Sequence, residues 1–207
     1  IAFRTAGTEA CAPDVDFIVS MAGPGVRGDS VLLRQNIDMA RLEGMSEARQ
    51  ASLACMLRRV YALAQSDLPD TALVEQLVSL YAGQMGGQTP TDAQREQLRR
   101  QMSVFASPWM RNFLRYDPQT DLAGLTCHVL AVNGERDTQV DAATNLEAIR
   151  RALTDKPGRT VTVKSYPGLN HLFQHCTTGL FTEYAAIEET ISPEVLADIA
   201  AWIEKLP

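Results

Sequence analysis

The sequence predicts an α/β fold of three parallel strands, with a block of helices inserted after the first. Three observations carry this. A short, β-branched apolar run at 15–21 stops at a Gly/Pro-rich loop, as a buried strand does. From Ser30 to about Tyr116 the apolar periodicity is helical, without a convincing strand. After that, strand and helix patterns alternate over crossovers whose length implies parallel pairing, with helices on both faces of the sheet.

The elements follow in order. Val15 to Met21 is the first strand, ending in Ala22-Gly-Pro-Gly25. Val31, Leu32, Ile37 and Met39 share one helix, with Ser30 at its cap. Ser46 caps a second helix bearing Leu53, Met56, Leu57, Val60 and Tyr61. Asp70 caps a third, whose Leu73, Val74, Leu77, Leu80 and Tyr81 form one apolar stripe, and Gly83, Gly86 and Gly87 end it. Thr89-Pro90 opens a fourth with Pro at the first helical position, and Arg95, Arg99 and Arg100 lie on its solvated face. A short helix over 107–114 precedes a break at Asp117-Pro118. Val129 to Val132 is a continuous apolar strand, 141–153 a helix with Leu146, Ile149 and Leu153 inward, and Val161 to Tyr166 a further strand. Ser192-Pro193 starts a final amphipathic helix with Val195, Leu196, Ile199, Trp202 and Ile203 inward. Three segments result: 1–29, the start of the core; 30–116, a helical insertion; and 117–207, the remaining α/β core.

Bulk properties narrow the function. The 207 residues match one domain, or one domain with a large insertion, and 45% hydrophobic with 21% charged residues is ordinary for a globular core. A net charge of −6 disfavours nucleic acid and anionic membrane surfaces, which reward clustered Lys and Arg. No apolar run reaches the ~18 to 20 residues of a membrane span. Cys11, Cys55, Cys127 and Cys176 are scattered without metal-ligand or redox spacing, so they are expected as separate thiols, with disulfides only in an oxidising compartment. No cofactor or metal is implied.

The chemistry concentrates near the end. Val129 to Asp137 and Tyr166 to His171 each run as a strand into a turn, the first delivering a carboxylate and the second an imidazole. A carboxylate followed by a histidine is the back half of a triad in the order Ser…Asp…His, yet Gly-x-Ser-x-Gly occurs nowhere in the chain. His171 follows the Pro167-Gly168 turn and is the base of choice. Asp137 is the acid of choice, against Glu135 as a turn residue, Asp141 as a helix cap and Asp121 as remote. His175 lies four positions on, sharing a face with His171 if helical, and serves as a surface or supporting residue. His128 precedes a strand and is structural. Ser20 lies inside a strand, Ser30 and Ser192 are caps, and Ser107 precedes Pro, so none is expected as a nucleophile. The loop with Met21 and Gly23 either lines a substrate pocket or makes a tight turn. Trp109, Met110 and Phe113 form either an apolar acyl-pocket wall or ordinary packing. Gly83 to Gly87 ends a helix and is no phosphate cradle.

The segments Phe17–Gly25, Ser107–Pro118, Val129–Asp137 and Gly168–Gln174 resemble the α/β-hydrolase superfamily, most closely the lidded bacterial serine esterases and serine aminopeptidase-like hydrolases. The resemblance spans nearly the whole chain but only the carboxyl-terminal part of the family's domain. It implies that 15–21, 129–132 and 161–166 match the sixth, seventh and eighth strands of an eight-strand sheet ordered 1-2-4-3-5-6-7-8. Residues 1–10 then match the end of the helix after the nucleophile, with the serine a few positions before Ile1. The resemblance further implies Asp137 and His171 as catalytic acid and base, Met21, Gly23, Trp109 and Phe113 as substrate-binding positions, and 30–116 as a lid. The substrate is then a small ester or a peptide-like amide, cleaved through an acyl-enzyme. A homodimer, a preceding segment or another polypeptide is expected to cover the open sheet edge. The alternative class is a non-catalytic module that binds a ligand or partner. The compartment is left open.

Overall fold

The structure, a computed structural model, describes residues 2–8, 12–83, 89–153 and 159–207. Its helices and strands run α1 (Ala2–Ala6), β1 (Phe17–Met21), α2 (Gly28–Leu42), α3 (Glu47–Ala64), α4 (Asp70–Ala82), α5 (Asp92–Met102), α6 (Pro108–Arg115), α7 (Pro118–Gly124), β2 (His128–Gly134), α8 (Ala142–Leu153), β3 (Val161–Tyr166) and α9 (Pro193–Ile203). Two compact units result: Ile1–Met45 with Asp117–Pro207, and Ser46–Tyr116. The helical rhythm starts near 30, but α2 belongs with the sheet. Asn145 of α8 accepts from the backbone N–H groups of Gly25 (2.8 Å) and Val26 (3.3 Å), and Arg34 of α2 pairs with Asp141 ahead of α8 (3.4 Å).

The sheet is parallel and ordered β1-β2-β3, with Ile18 opposite Val129 and Ala131 opposite Val163. Side chains alternate between the faces of a strand. Ile18, Val129 and Ala131 therefore pack with Phe3 of α1, Leu122 of α7, and Ile149 and Leu153 of α8. Leu130, Val132 and Tyr166 pack on the other face with Val195, and Ile199 and Trp202 of α9 lie against that cluster. Coverage of both faces is why β2 reads as a continuous apolar run. Each fully buried Leu or Ile here contributes ~1.5–3 kcal/mol of burial free energy.

In the second unit, Leu57, Val60, Tyr61, Leu73, Leu77, Val78 and Leu114 are buried. The guanidinium groups of Arg111 and Arg115 on α6 donate to the carbonyls of Ser66 (3.0 Å), Leu68 (2.7 Å) and Gln65 (2.6 Å), satisfying the C-cap of α3 and the segment that follows it. Among the described residues, no helix is long and apolar enough to cross a membrane.

Several local expectations change. Ser30 lies inside α2, whose cap position is Arg27, and Asp70 is the first residue of α4, after Pro69. Thr91, not Thr89-Pro90, starts α5: its hydroxyl accepts from Gln94 N–H while the Gln94 side chain accepts from Thr91 N–H. Asp117-Pro118 does more than break the chain, because Asp117 caps α7 through Gln119 N–H (3.0 Å). With seven residues, α7 is too short to show a period. Gly83 is the C-cap of α4, whereas Gly86 and Gly87 lie outside the described residues. Cys55 is exposed, Cys127 buried and Cys176 half-buried, all as free thiols; Cys11 lies outside the described residues.

Candidate active site

Two loops leave the carboxyl ends of β2 and β3 and meet. Gly134 is the contact point: a Cβ there would lie 2.2 Å from the Leu169 carbonyl oxygen and 2.5 Å from that of Asn170. Backbone bonds lock the approach, with Glu135 N–H donating to Tyr166 (2.9 Å) and Arg136 N–H to Leu169 (2.9 Å). Asn133, itself buried, accepts from Gly134 N–H (2.8 Å) and donates to the Val140 carbonyl (2.7 Å), closing the acid loop from beneath.

Asp137 sits in that loop with its side chain 0% exposed. Its Oδ1 accepts from the N–H groups of Gln139 (2.7 Å) and Val140 (2.8 Å). This leaves Oδ2 for His171, whose Nδ1 is 2.8 Å away. A buried carboxylate with two N–H donors on one oxygen offers an acceptor through the other, so the bond is made by His171 Nδ1–H, the tautomer whose neutral form presents Nε2 as an acceptor. The imidazole is 27% exposed, so one edge is held and the other is accessible. The pair can therefore take a proton at Nε2 while the carboxylate fixes the tautomer and stabilises the resulting cation.

The His171 loop is organised by Asn170, which is wholly buried. Its Oδ1 accepts from Leu172 N–H (2.9 Å) and Gln174 N–H (3.0 Å), and its Nδ2 donates to Gln174 Oε1 (3.0 Å). Phe173 is held at φ +60, costly for a residue with a Cβ. Packing against Tyr166 (6.3 Å between ring centres) and a bond from Ser192 N–H to its carbonyl (2.8 Å) keep it there.

The other singled-out residues take different places. His175 is not on a helix with His171: Leu169 and His175 form an antiparallel bridge, and the His175 imidazole pairs with Glu189 (2.9 Å). His128 Nδ1 accepts from Thr160 N–H (2.9 Å), and Glu135 accepts from the Ser165 hydroxyl (2.9 Å). Asp141 caps α8 through Thr144 N–H (2.9 Å). Met21 is exposed at the end of β1, next to Ala22 at φ +50. Gly23 follows, where a Cβ would lie 2.2 Å from the Ser20 hydroxyl oxygen, a contact that rotation of the serine side chain can relieve. In the helical unit Trp109 is exposed and stacks on Phe113 at 5.3 Å and 6°. Among the described residues, no three His, Cys, Asp or Glu side chains gather as metal ligands would.

Asn170, Gly134 and Gln139 shape the two loops, and Tyr184 bonds to Gln139, without having stood out in the sequence. Asn170 beside His171 carried the one usable signal, since Asn side chains build local turns. Gln139 Nε2 donates to the Tyr184 hydroxyl (3.1 Å). Burial pushes the Tyr184 phenol up, opposed by Gln139 and by the His171 backbone amide, so the hydroxyl stays neutral.

No protein-family profile matches the chain, and no curated protein does. Among solved structures it is similar to esterase E22 (TM-score 0.40, 13% identity, covering 92% of this chain and 58% of that one). It is also similar to a point mutant of that esterase (TM-score 0.39, 13% identity, 89% and 56%). This chain thus spans less than two thirds of either structure's length.

Two carboxylates tie down the end of the His171 loop and the segment that follows it. His175 N–H (2.6 Å) and the His175 ring hold the Glu189 carboxyl below the usual glutamate range. For Glu183 burial acts upward, but the N–H groups of Gly179, Thr178 and Thr177 and the Thr178 hydroxyl outweigh it and lower the carboxyl. A folded-state value below the unfolded one gives stability that is full above the unfolded value of about 4.3 and is lost as pH falls through the folded value. Hydrogen exchange at the His175 and Gly179 amides should therefore accelerate as pH is lowered from about 5 toward 3, after correction for intrinsic exchange. Glu183→Gln and Glu189→Gln should each flatten that dependence; an unchanged profile in both contradicts the assignment.

Proposed function

We propose that these residues form the acid–base part of an α/β-hydrolase-type serine hydrolase that cleaves a small carboxylic ester through an acyl-enzyme. The supporting observation is the pair itself: a fully buried Asp137 carboxylate, anchored by two N–H groups on one oxygen, bonded through the other to His171 at 2.8 Å. On this reading the nucleophilic serine lies outside these 207 residues. Its proton passes to His171 Nε2 as its oxygen attacks the ester carbonyl, and His171 returns the proton to the departing alcohol. Water then repeats the sequence on the acyl-enzyme. Met21 and Gly23 border the substrate at the end of β1, the helical unit Ser46–Tyr116 acts as a lid, and its stacked Trp109–Phe113 pair offers an apolar surface to an acyl chain.

A form of the protein that bears a Gly-x-Ser-x-Gly nucleophile ahead of these residues should label with a fluorophosphonate at that serine and hydrolyse p-nitrophenyl esters. Asp137→Asn should lower its kcat about 10⁴-fold, the scale seen when a triad carboxylate is lost. The 207 residues alone should not label. Specific labelling of a serine within them, or undiminished turnover by Asp137→Asn, contradicts the proposal. Turnover of p-nitroanilides in preference to esters would redirect it to amides.

The sheet edge supports a partner. Asp16 accepts from His128 N–H (3.0 Å) and Ala22 N–H donates to Val132 (2.8 Å). In a parallel ladder alternate residues bond to opposite sides, so the backbone groups of Phe17, Val19 and Met21 turn away from β2. No described strand pairs with them, and an open apolar edge invites pairing. We infer that a second copy or a preceding segment covers it. Sedimentation of the chain should show species larger than 22.7 kDa at micromolar concentration; a monomer throughout contradicts pairing between copies.

A further inference from the structure

We propose that Tyr184 is a positioning residue for the Asp137–His171 pair, acting through Gln139 on the orientation of the Asp137 carboxylate. The proposal rests on the reading of that pair as acid and base. The observation behind it is a clasp. After the His171 loop the chain turns back along the acid loop and is fastened to it repeatedly. Arg136 donates to the carbonyls of Cys176 and Thr177, the latter at 2.9 Å. The Thr138 hydroxyl donates to Gly179 (2.9 Å), and Gln139 donates to Tyr184 (3.1 Å). Of residues 136–139, Asp137 alone turns its side chain away from the clasp, toward His171.

The clasp is stiff enough to transmit position. Gly179 lies at φ +81 with its backbone against Arg136, where a Cβ would lie 1.9 Å from the Arg136 carbonyl oxygen. The Glu183 carboxylate gathers the N–H groups of Thr177 (3.2 Å), Thr178 (3.0 Å) and Gly179 (2.6 Å), closing the segment on itself. Tyr184 follows directly and delivers its hydroxyl to Gln139. Gln139 then has two holds: its side chain on Tyr184, and its backbone N–H on Asp137 Oδ1 (2.7 Å). That N–H is one of the two donors that rotate the carboxylate so that Oδ2 faces His171. A bond 3.1 Å long at Tyr184 thus helps set a bond 2.8 Å long at His171.

The test uses the chain as it is and needs no turnover. In solution NMR the His171 Nδ1 proton, held by Asp137, should give a far-downfield resonance that Asp137→Asn removes. Tyr184→Phe keeps the ring and removes the acceptor; Gln139→Ala removes the donor. Each should speed exchange of that proton with water about tenfold, the scale of one lost hydrogen bond, and the double variant should go no further than either single. Two variants guard against loss of folding in one. An unchanged exchange rate in both, an effect of the double equal to the product of the singles, or no such resonance in the unsubstituted chain overturns the proposal. Failure here leaves the fluorophosphonate result standing. Failure of labelling removes the hydrolase reading while the tie remains measured.

Discussion

The missing side chain at position 134 governs the carboxyl-terminal half of this protein. With only hydrogen there, the end of β2 lies against the carbonyls of Leu169 and Asn170 at distances no Cβ tolerates. The bonds from Glu135 and Arg136 to Tyr166 and Leu169 exist because of that approach. They bring two loops, joined in the sheet only through parallel neighbours, close enough for a carboxylate and an imidazole to bond at 2.8 Å. The spacing at the pair thus follows from the backbone contact beside it, at the ends of β2 and β3, and from the polar satisfaction beneath it.

Conformational cost sits beside the same contact. Phe173 and Ala22 both occupy positive φ, and both follow residues singled out for chemistry, His171 and Met21. Left-handed backbone at a residue with a Cβ costs roughly 1–2 kcal/mol. At Phe173 the buried Asn170 network, the aromatic contact with Tyr166 and the Ser192 amide offset it. Such arrangements persist where surrounding structure over-determines them, which is the condition a pre-organised site requires.

Much of the fold was legible because it depends on short-range pattern. β2 shows an unbroken apolar run because both its faces are covered, and α9 announces itself through Ser192-Pro193 and its inward Val195 and Ile199. Asp137 and His171 were legible as polar residues just past such strands. What escaped depends on contacts distant in sequence or on elements too short to show a period. α7 has seven residues, and the capping box at Thr91 lies one position past Pro90, which the sequence pattern marks as the start of α5. His175 suggested a helical face because spacing alone cannot see the bridge to Leu169 or the Glu189 carboxylate. Gly134 in Asn133-Gly134 looks like any turn glycine; its demand comes from a loop more than thirty residues away.

The most direct test of this account is Gly134→Ala, followed by a crystal structure and urea denaturation. The added methyl should push the Leu169 and Asn170 carbonyls away, break the bond between His171 Nδ1 and Asp137 Oδ2, and cost about 1–3 kcal/mol or more of stability. An alanine variant with the pair intact at its original separation and undiminished stability would contradict it.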